Sequence, residues 1–511
     1  MSIMNGTENG VKKPKPSLPP DLTDRTQLDS QSGCSDDIGN DKEKQNQRDK
    51  AIGIGMRHTL SHDGLGNGYA TITTGDLVEH YQIRSRMYKN HLTGLYFEIY
   101  EKGLSKQAIS EAQDTLEAKA IRRGNLIKPA LRAARVDQTV EIDLCNDEGQ
   151  IVIVTGNDWR VAGSYQSKAF FPRRHGQLPL TPPVRVEDAL KKFFALYGIA
   201  DTKAQILVAS WLLSCIIVGT PTPILILNGG QGTGKTALAQ ALVRLIDPQS
   251  PELSTLPTDE RDLCISARTA LVLGFDNVSR LTAEMSDAFC RLATGGGIKN
   301  RKLFTDDEQV SFSGIRAVVF NGIPDVVHAD DLRERSIVIT LEPIAKKNRK
   351  KLEWIEQQFY AQAPEVLGCL LDGVSAVLKA TDNEPPAELE RMADFAVLAQ
   401  AGMPALGFTA EDFATAYSEN LAASLENVLD SNLVAQLIRA MPHNFEGTYT
   451  DLLKRLREQA DSWEWKDLPR SPRQLGNVVR RLQPGLATVG ISVSHRHSNG
   501  HRIVNIDNGH I

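Results

Sequence analysis

Apolar residues fall into short unbroken runs in the middle of the chain and into helical spacing on both sides of it. Residues 224–227 (Ile-Leu-Ile-Leu), 271–275, 316–320 and 336–341 are runs of the length and composition of buried strands. Between them, residues 235–247, 259–268 and 285–292 are spaced as helices, and residues 309–312 as a further short strand. Alternating strands and helices predict an α/β core with a parallel sheet. Two helices over residues 186–218 lead into it. The more apolar part, residues 206–218, is too short to cross a bilayer and carries Ser210 and Ser214, so it reads as a buried helix. Beyond the core, residues 346–436 read as helical throughout, with segments at 351–378, 387–398 and 410–422. Ahead of it, Leu77, Tyr81, Ile83, Met87 and Tyr88 suggest the apolar face of one helix. Ala108, Ala112, Leu116 and Ala120 suggest a second. Short strands follow at 140–145 and 150–154. Near the C-terminus, a helix through residue 460 and another over 473–482 precede strands at 490–495 and 501–506. The turn pair Asn499-Gly500 joins these strands as a hairpin.

A chain of 511 residues exceeds a single core. Five regions are expected: a disordered tail over 1–70, a small α+β module over 76–180, the core over 186–344, a helical domain over 345–440, and a C-terminal domain over 441–511. The tail is polar, and its cluster Lys12-Lys13-Pro14-Lys15 reads as solvated. Residues 173–183 read as a basic, proline-bearing linker. A net charge of −5 excludes a uniformly basic surface, so any nucleic-acid face is local. Cys34, Cys145, Cys215, Cys264, Cys290 and Cys369 form no C-x-x-C pair. That argues against zinc and disulfides and suits a cytoplasmic protein. No secretory signal or membrane span is visible. Asp143, Asp147 and Asp158 could be metal ligands, but carboxylates at strand ends more often serve as turn residues.

Chemistry enters at residues 229–236. Gly229, Gly230, Gln231, Gly232, Thr233, Gly234, Lys235 and Thr236 match G-x-x-x-x-G-K-[ST], set between an apolar strand and a helix. The glycines let backbone N–H groups converge on phosphate oxygens. Lys235 supplies a point charge, and Thr236 a hydroxyl for Mg²⁺. ATP and Mg²⁺ are therefore the expected cofactors. Asp276 ends the second strand, where a carboxylate would oppose Thr236 across Mg²⁺; the alternative is a helix N-cap. The next residue, Asn277, stands where many such ATPases carry a second acid, which leaves the general base unassigned. Glu284 and Asp287 are nearby only in sequence. Asn321 ends the third strand, where it would sense the γ-phosphate; the alternative is turn chemistry with Gly322. Arg335, ahead of Arg333 as a candidate, precedes the fourth strand. It could reach the γ-phosphate of a neighbouring subunit, or pair with Asp330, Asp331 or Glu334.

The order strand–GGQGTGKT–helix, strand–FDN, TGGG-IKNRKLF, VVFNGIPD, DLRERSIVITL resembles the ATPase core of superfamily III helicases. The likeness is to the phage and plasmid primase–helicase branch of the AAA+ class. It spans residues 80–507 and is strongest over 224–344. The flanks also resemble phage-derived bacterial ATP-binding proteins with a C-terminal winged helix. The resemblance implies a homo-oligomeric ring, such as a hexamer. It also implies a basic hairpin gripping single-stranded DNA, whose matching residues are Lys299, Arg301 and Lys302. The alternative for these three is a solvated loop, because Asp306, Asp307 and Glu308 follow. The departure at Asn277 puts efficient hydrolysis in question.

At the C-terminus, helix, helix and hairpin are the parts of a winged helix-turn-helix. From Lys466 to Arg502 the chain has seven Lys or Arg against one Asp, a local basic surplus suited to DNA. Arg473, Asn477, Arg480 and Arg481 lie on or near the candidate recognition helix, with Gln474 beside them and Arg496 at the wing. A winged domain can instead contact protein. The expectation is an ATP-dependent DNA helicase or translocase of mobile-element replication. Its rivals are a DNA-binding ATP switch (an initiator, loader or regulator) and a signalling NTPase without DNA.

Overall fold

The computed structural model describes residues 47–301, 309–322, 330–380, 392–498 and 501–507. They divide into two compact units, one of residues 47–128 with 163–165, the other of residues 129–162 with 166–507. Of the expected tail, residues 1–46 and the Lys12–Lys15 cluster lie outside the described residues.

The first unit runs α1 (Gln47–Gly55), β1 (Thr59–His62), β2 (Gly68–Thr74), β3 (Leu77–Gln82), α2 (Arg86–Tyr100), α3 (Lys106–Arg123) and β4 (Asn125–Leu126). Its sheet has the order β3-β2-β1-β4. Two expectations are corrected here. Residues 47–70 are ordered, because Ala51, Ile54 and Ala70 are buried in one core with Ala112, Leu116 and Ala120 of α3. And residues 77–82 are a strand: β3 pairs with β2 along its whole length, and α2 begins only at its Ser85 cap. The spacing of Leu77, Tyr81 and Ile83 fits either period over so short a window. The second expected helix is α3, with Ala108, Ala112, Leu116 and Ala120 buried.

The second unit opens with a meander of β5 (Ala133–Val136), β6 (Thr139–Asp143), β7 (Gln150–Val154) and β8 (Trp159–Gly163). These strands were expected to belong with the preceding helices, but they group with the core. The core follows as α4 (Ala189–Leu196), α5 (Thr202–Ile216), β9 (Ile224–Asn228), α6 (Lys235–Ile246), α7 (Glu260–Thr269), β10 (Val272–Val278), α8 (Ala283–Thr294), β11 (Ile298–Arg301), β12 (Gln309–Phe312), β13 (Ala317–Gly322), α9 (Asp330–Arg333) and β14 (Ser336–Thr340). The main sheet has the order β10-β13-β9-β14, with all three pairings parallel; Ser254 adds a parallel bridge beyond β10. Alternate residues explain the unbroken apolar runs. Leu225 and Leu227 of β9 face the cluster containing α5 and α6, whereas Ile224 and Ile226 face the cluster containing α7 and α8. A strand covered on both faces has no polar side to alternate with.

Helices α10 (Leu352–Ala380), α11 (Ala393–Gly402) and α12 (Ala410–Ser431) form the helical block. The expected helix at 387–398 starts at residue 393 among the described residues. α10 is the one described helix long and apolar enough to cross a membrane. Its Val366, Leu367, Leu370, Leu371 and Val374 belong to the main core instead. The chain ends with α13 (Leu433–Arg439), β15 (Phe445–Thr448), α14 (Tyr449–Gln459), α15 (Pro472–Thr488), β16 (Ser492–Ser498) and β17 (His501–Asp507). The hairpin gains a third strand, in the order β15-β17-β16. Three helices and a three-stranded sheet in this order share a core of their own. Thr448 begins α14 with a capping box, and Ser471 caps α15 with Pro472 in its first turn.

Part of the segment expected as a basic, proline-bearing linker belongs to a largely buried ionic cluster. Arg132 Nε donates to Asp247 Oδ1 at 3.1 Å, and Arg174 Nη2 lies 3.4 Å from the same oxygen. Asp247 Oδ2 accepts the Leu271 N–H at 2.6 Å, and Arg173 pairs with Asp143 at 3.2 Å. Burial alone would raise the Asp247 carboxyl, but Arg174, Arg132 and the Leu271 amide outweigh it and hold the group below the usual carboxylate range. Its stabilising contribution is thus complete above the ordinary carboxylate pKa and is lost as pH falls through the lower, folded value. Asp247→Ala strands the buried Arg132 and the partly buried Arg174. It should cost about 3–5 kcal/mol, read as a lower urea midpoint, with the deficit shrinking in acid. An unchanged midpoint at neutral pH would show that the cluster holds nothing together.

Candidate nucleotide site and nucleic-acid elements

The phosphate loop joins β9 to α6 at the C-terminal end of the sheet. Gly229, Gly232 and Gly234 have φ of 146°, 76° and 85°, a region that disfavours side chains. A Cβ at Gly229 would stand 2.6 Å from the Leu341 carbonyl oxygen, so glycine is required there for packing too. Lys235 Nζ donates to the Gly229 and Gly230 carbonyls at 2.6 and 2.8 Å, curling over the loop it would serve.

Three strand-end groups converge beside it. Asp276 follows Phe275 on β10, Asn321 follows Phe320 on β13, and these two phenylalanines are paired across the sheet. Asn321 Nδ2 donates to Thr236 Oγ1 at 2.7 Å and to Asp276 Oδ1 at 2.5 Å; Thr236 Oγ1 lies 3.4 Å from Asp276 Oδ1. Thr236 is exposed and Asp276 half-buried, while Asn321 is buried. A hydroxyl, a carboxylate and an amide beside a glycine cradle and an ammonium are suited to hold a triphosphate and its Mg²⁺. The cradle fits the group: its glycines keep open space that Cβ atoms would fill or strain.

Asn277 has φ of 54° at a break in the β10–β13 register between Phe275 and Val278. Asn tolerates this left-handed conformation better than most residues. Its backbone N–H donates to Asp276 Oδ1 at 2.9 Å. Glu284 and Asp287 are exposed on α8, and no described hydrogen bond joins either to the three strand-end groups.

Arg335 stands apart. Its carbonyl accepts the Ile224 N–H at 2.8 Å, at the start of β9, whereas the loop leaves from Asn228 at the other end. Four residues of strand separate the two positions, roughly 13 Å at strand rise. Arg335 pairs with Asp331 and donates to its carbonyl at 2.9 Å. Arg333 is buried, and desolvation lowers its pKa, so Arg335 is the more accessible of the two.

β11 and β12 form an antiparallel hairpin, with Lys299 opposite Ser311 and Arg301 opposite Gln309. Lys302, Asp306, Asp307 and Glu308 lie outside the described residues. On α15, Arg473, Gln474, Asn477, Arg480 and Arg481 are all exposed, while Leu475, Val479 and Leu482 face the core. Arg480 is held along the helix by Gly476 O at 3.1 Å and Asn477 Oδ1 at 2.6 Å. Arg496 pairs with Glu446, both largely exposed, so this pair is weak. Asp143 and Asp158 pair with Arg173 and Arg185, and no cluster suited to a metal occurs among the described residues.

A phosphate loop on a four-stranded parallel sheet, faced by strand-end Asp276 and Asn321 and followed by a helical block, defines a P-loop NTPase fold of the AAA+ type. Two family models match the chain: the actinomycete integrative conjugative element replication protein over residues 190–430, and the C-terminal domain of the same RepA proteins over residues 433–510. Across residues 190–510 the chain belongs to this family of replication proteins. No curated protein sequence matches it significantly. Solved structures similar to it include the NrS-1 C-terminal region (14% identity, 91% of this chain and 99% of that one, TM-score 0.38). Others are the SCCmec type IV Cch active helicase (12%, 88% and 92%, 0.44) and the JCV helicase (16%, 47% and 73%, 0.22).

Two features escaped the sequence reading: the ionic cluster around Asp247, and the run Lys346-Lys347-Asn348-Arg349-Lys350-Lys351 that follows β14. Five cations in six residues were the signal for the second.

Proposed function

We propose that this chain is an ATP- and Mg²⁺-dependent DNA translocase or helicase that serves replication of a mobile element. The observation that carries the reading is the convergence of Thr236, Asp276 and Asn321 beside the phosphate loop, in a chain that ends in a winged helix with a basic exposed face. Mg²⁺ supplies charge neutralisation to phosphoryl transfer when bound. Thr236 and Asp276 would hold it, Lys235 would turn from its loop carbonyls to phosphate oxygens, and Asn321 would orient the attacking water. Arg335 would act on a neighbouring subunit's nucleotide in a ring of identical subunits, which suits its distance from its own loop. Lys299, Arg301 and Lys302 would contact single-stranded DNA, and Arg473, Asn477, Arg480, Arg481 and Arg496 duplex DNA.

A second reading is favoured by Asn277: a DNA-binding ATP switch that assembles but unwinds little. ATPase rates with and without single-stranded DNA, together with strand displacement on a forked duplex, separate the two. DNA-stimulated turnover with unwinding supports the motor. DNA binding without unwinding supports the switch. Absence of DNA binding at low salt overturns both.

Arg473 and Arg481 have no described ion pair, so the double variant Arg473→Ala/Arg481→Ala should keep its fold and lower duplex affinity across all sequences. The slope of log affinity against log salt should lose about two. An unchanged slope in a fluorescence-anisotropy titration would remove this face from the DNA interface.

A further inference from the structure

The strand-to-helix connection after β14 lies against the phosphate loop. Leu341 N–H donates to the Asn228 carbonyl at 2.9 Å, and Ile344 N–H to the Gly232 carbonyl at 3.3 Å. A short 3₁₀ turn, Lys346–Asn348, then returns the chain, and Arg349 Nε donates to the Ile344 carbonyl at 3.3 Å. The Arg349 guanidinium therefore sits at the rim of the loop: a Cβ built on Gly232 would stand 3.0 Å from Arg349 Nη2. Gly232 has φ of 76°, so the loop backbone at this point is committed to the cradle conformation.

Lys346, Lys347, Arg349, Lys350 and Lys351 are all exposed, and none has a described ion pair with a carboxylate. No acidic residue occurs between Pro343 and Leu352. Five like charges repel one another, and setting Arg349 beside a loop whose N–H groups suit anions raises the local positive potential further. A polyanion at the loop relieves that repulsion. Arg349 is the member whose guanidinium is set at the loop, its Nε–H held by the Ile344 carbonyl, and a guanidinium can grip phosphate oxygens with two parallel N–H donors.

We propose that Arg349 is a second phosphate-binding cation of the nucleotide site, supplied by the same subunit, with the flanking lysines raising the field around it. This rests on the nucleotide reading of the phosphate loop and extends it. Lys235 addresses the phosphates from the helix side and Arg349 from the rim at Gly232. Because α10 begins at Leu352, three residues on, the contact also ties nucleotide occupancy to the first helix of the helical block.

The test uses the full chain, with ATP and ADP competing against a fluorescent ATP analogue, for the wild type and for Arg349→Ala, Arg349→Lys and Lys235→Ala. Single-stranded oligonucleotide binding is measured on the same proteins. Arg349 is exposed, so its variants should unfold at the wild-type temperature. The expected result is a loss in ATP affinity of about tenfold or more for Arg349→Ala, the scale of one charge-assisted hydrogen bond. Arg349→Lys should recover part of it, and oligonucleotide affinity should stay unchanged. Wild-type ATP affinity in Arg349→Ala overturns the proposal; if Lys235→Ala is then defective, the nucleotide reading itself stands. Loss of oligonucleotide binding with ATP binding intact also overturns it, and assigns the basic run to DNA. A wild-type chain that binds no ATP overturns both readings together.

Discussion

Lys235→Ala is expected to lower ATP turnover by a factor of about 10²–10³ or more, the cost of removing one preorganised charge from a phosphoryl-transfer site. The side chain is half-buried and makes its described hydrogen bonds to loop carbonyls, at 2.6 and 2.8 Å, and to Thr233 Oγ1 at 3.5 Å. Its removal leaves those carbonyls open to solvent instead of stranding a charge in the core. The fold should survive, with an unfolding midpoint near that of the wild type. Phosphate release under saturating ATP is the measurement. Turnover equal to the wild type would mean that the loop at residues 229–236 is not where hydrolysis happens.

Arg335→Ala should have a comparable effect on turnover, about 10³-fold, with ATP binding retained. Arg335 belongs to the N-terminal end of the sheet and the phosphate loop to the C-terminal end, so one subunit cannot bring them together without breaking the β9–β14 pairing. Only another copy can. Mixing supplies the decisive readout. Arg335→Ala subunits keep an intact loop and Lys235→Ala subunits keep an intact arginine, so a mixture should regain activity that neither variant has alone. Absence of recovery, with both variants shown to co-assemble, would assign Arg335 to its ion pair with Asp331 and to nothing else.

Much of the site was legible because its parts are local. G-x-x-x-x-G-K-[ST] between an apolar run and an amphipathic segment is a contiguous signal, and strand ends are marked by the first polar residue after each run. Asp276 and Asn321 could be picked out for that reason alone. That Asn321 bridges Thr236 and Asp276 could not, since this depends on β13 lying between β9 and β10. The missing second acid was visible as Asn277. The left-handed bulge that holds this residue was not, because it arises from a break in pairing with β13.

The errors had the same origin. Residues 77–82 are a strand because β2 lies beside them, and residues 47–70 are ordered because α3 covers Ala51 and Ile54. Arg173 and Arg174 read as part of a linker because their partners, Asp143 and Asp247, are remote in sequence. β15 was not among the expected strands, because four residues with little apolar character form a strand only when β17 supplies the hydrogen bonds. Arg349 was one charge among five until the hydrogen bonds of residues 341–344 set it against Gly232.

Hydrophobic period and motif spacing were enough to establish the class of core, the glycine-rich loop between strand and helix, and the basic surplus at the C-terminus, because each depends on residues within a few positions of one another. Tertiary structure alone decided which strand ends meet, which arginines are buried, which face outward, and that Arg335 and Lys235 lie at opposite ends of one sheet. Those outcomes follow from strand order and packing, where partners hundreds of residues apart set the environment of each charge.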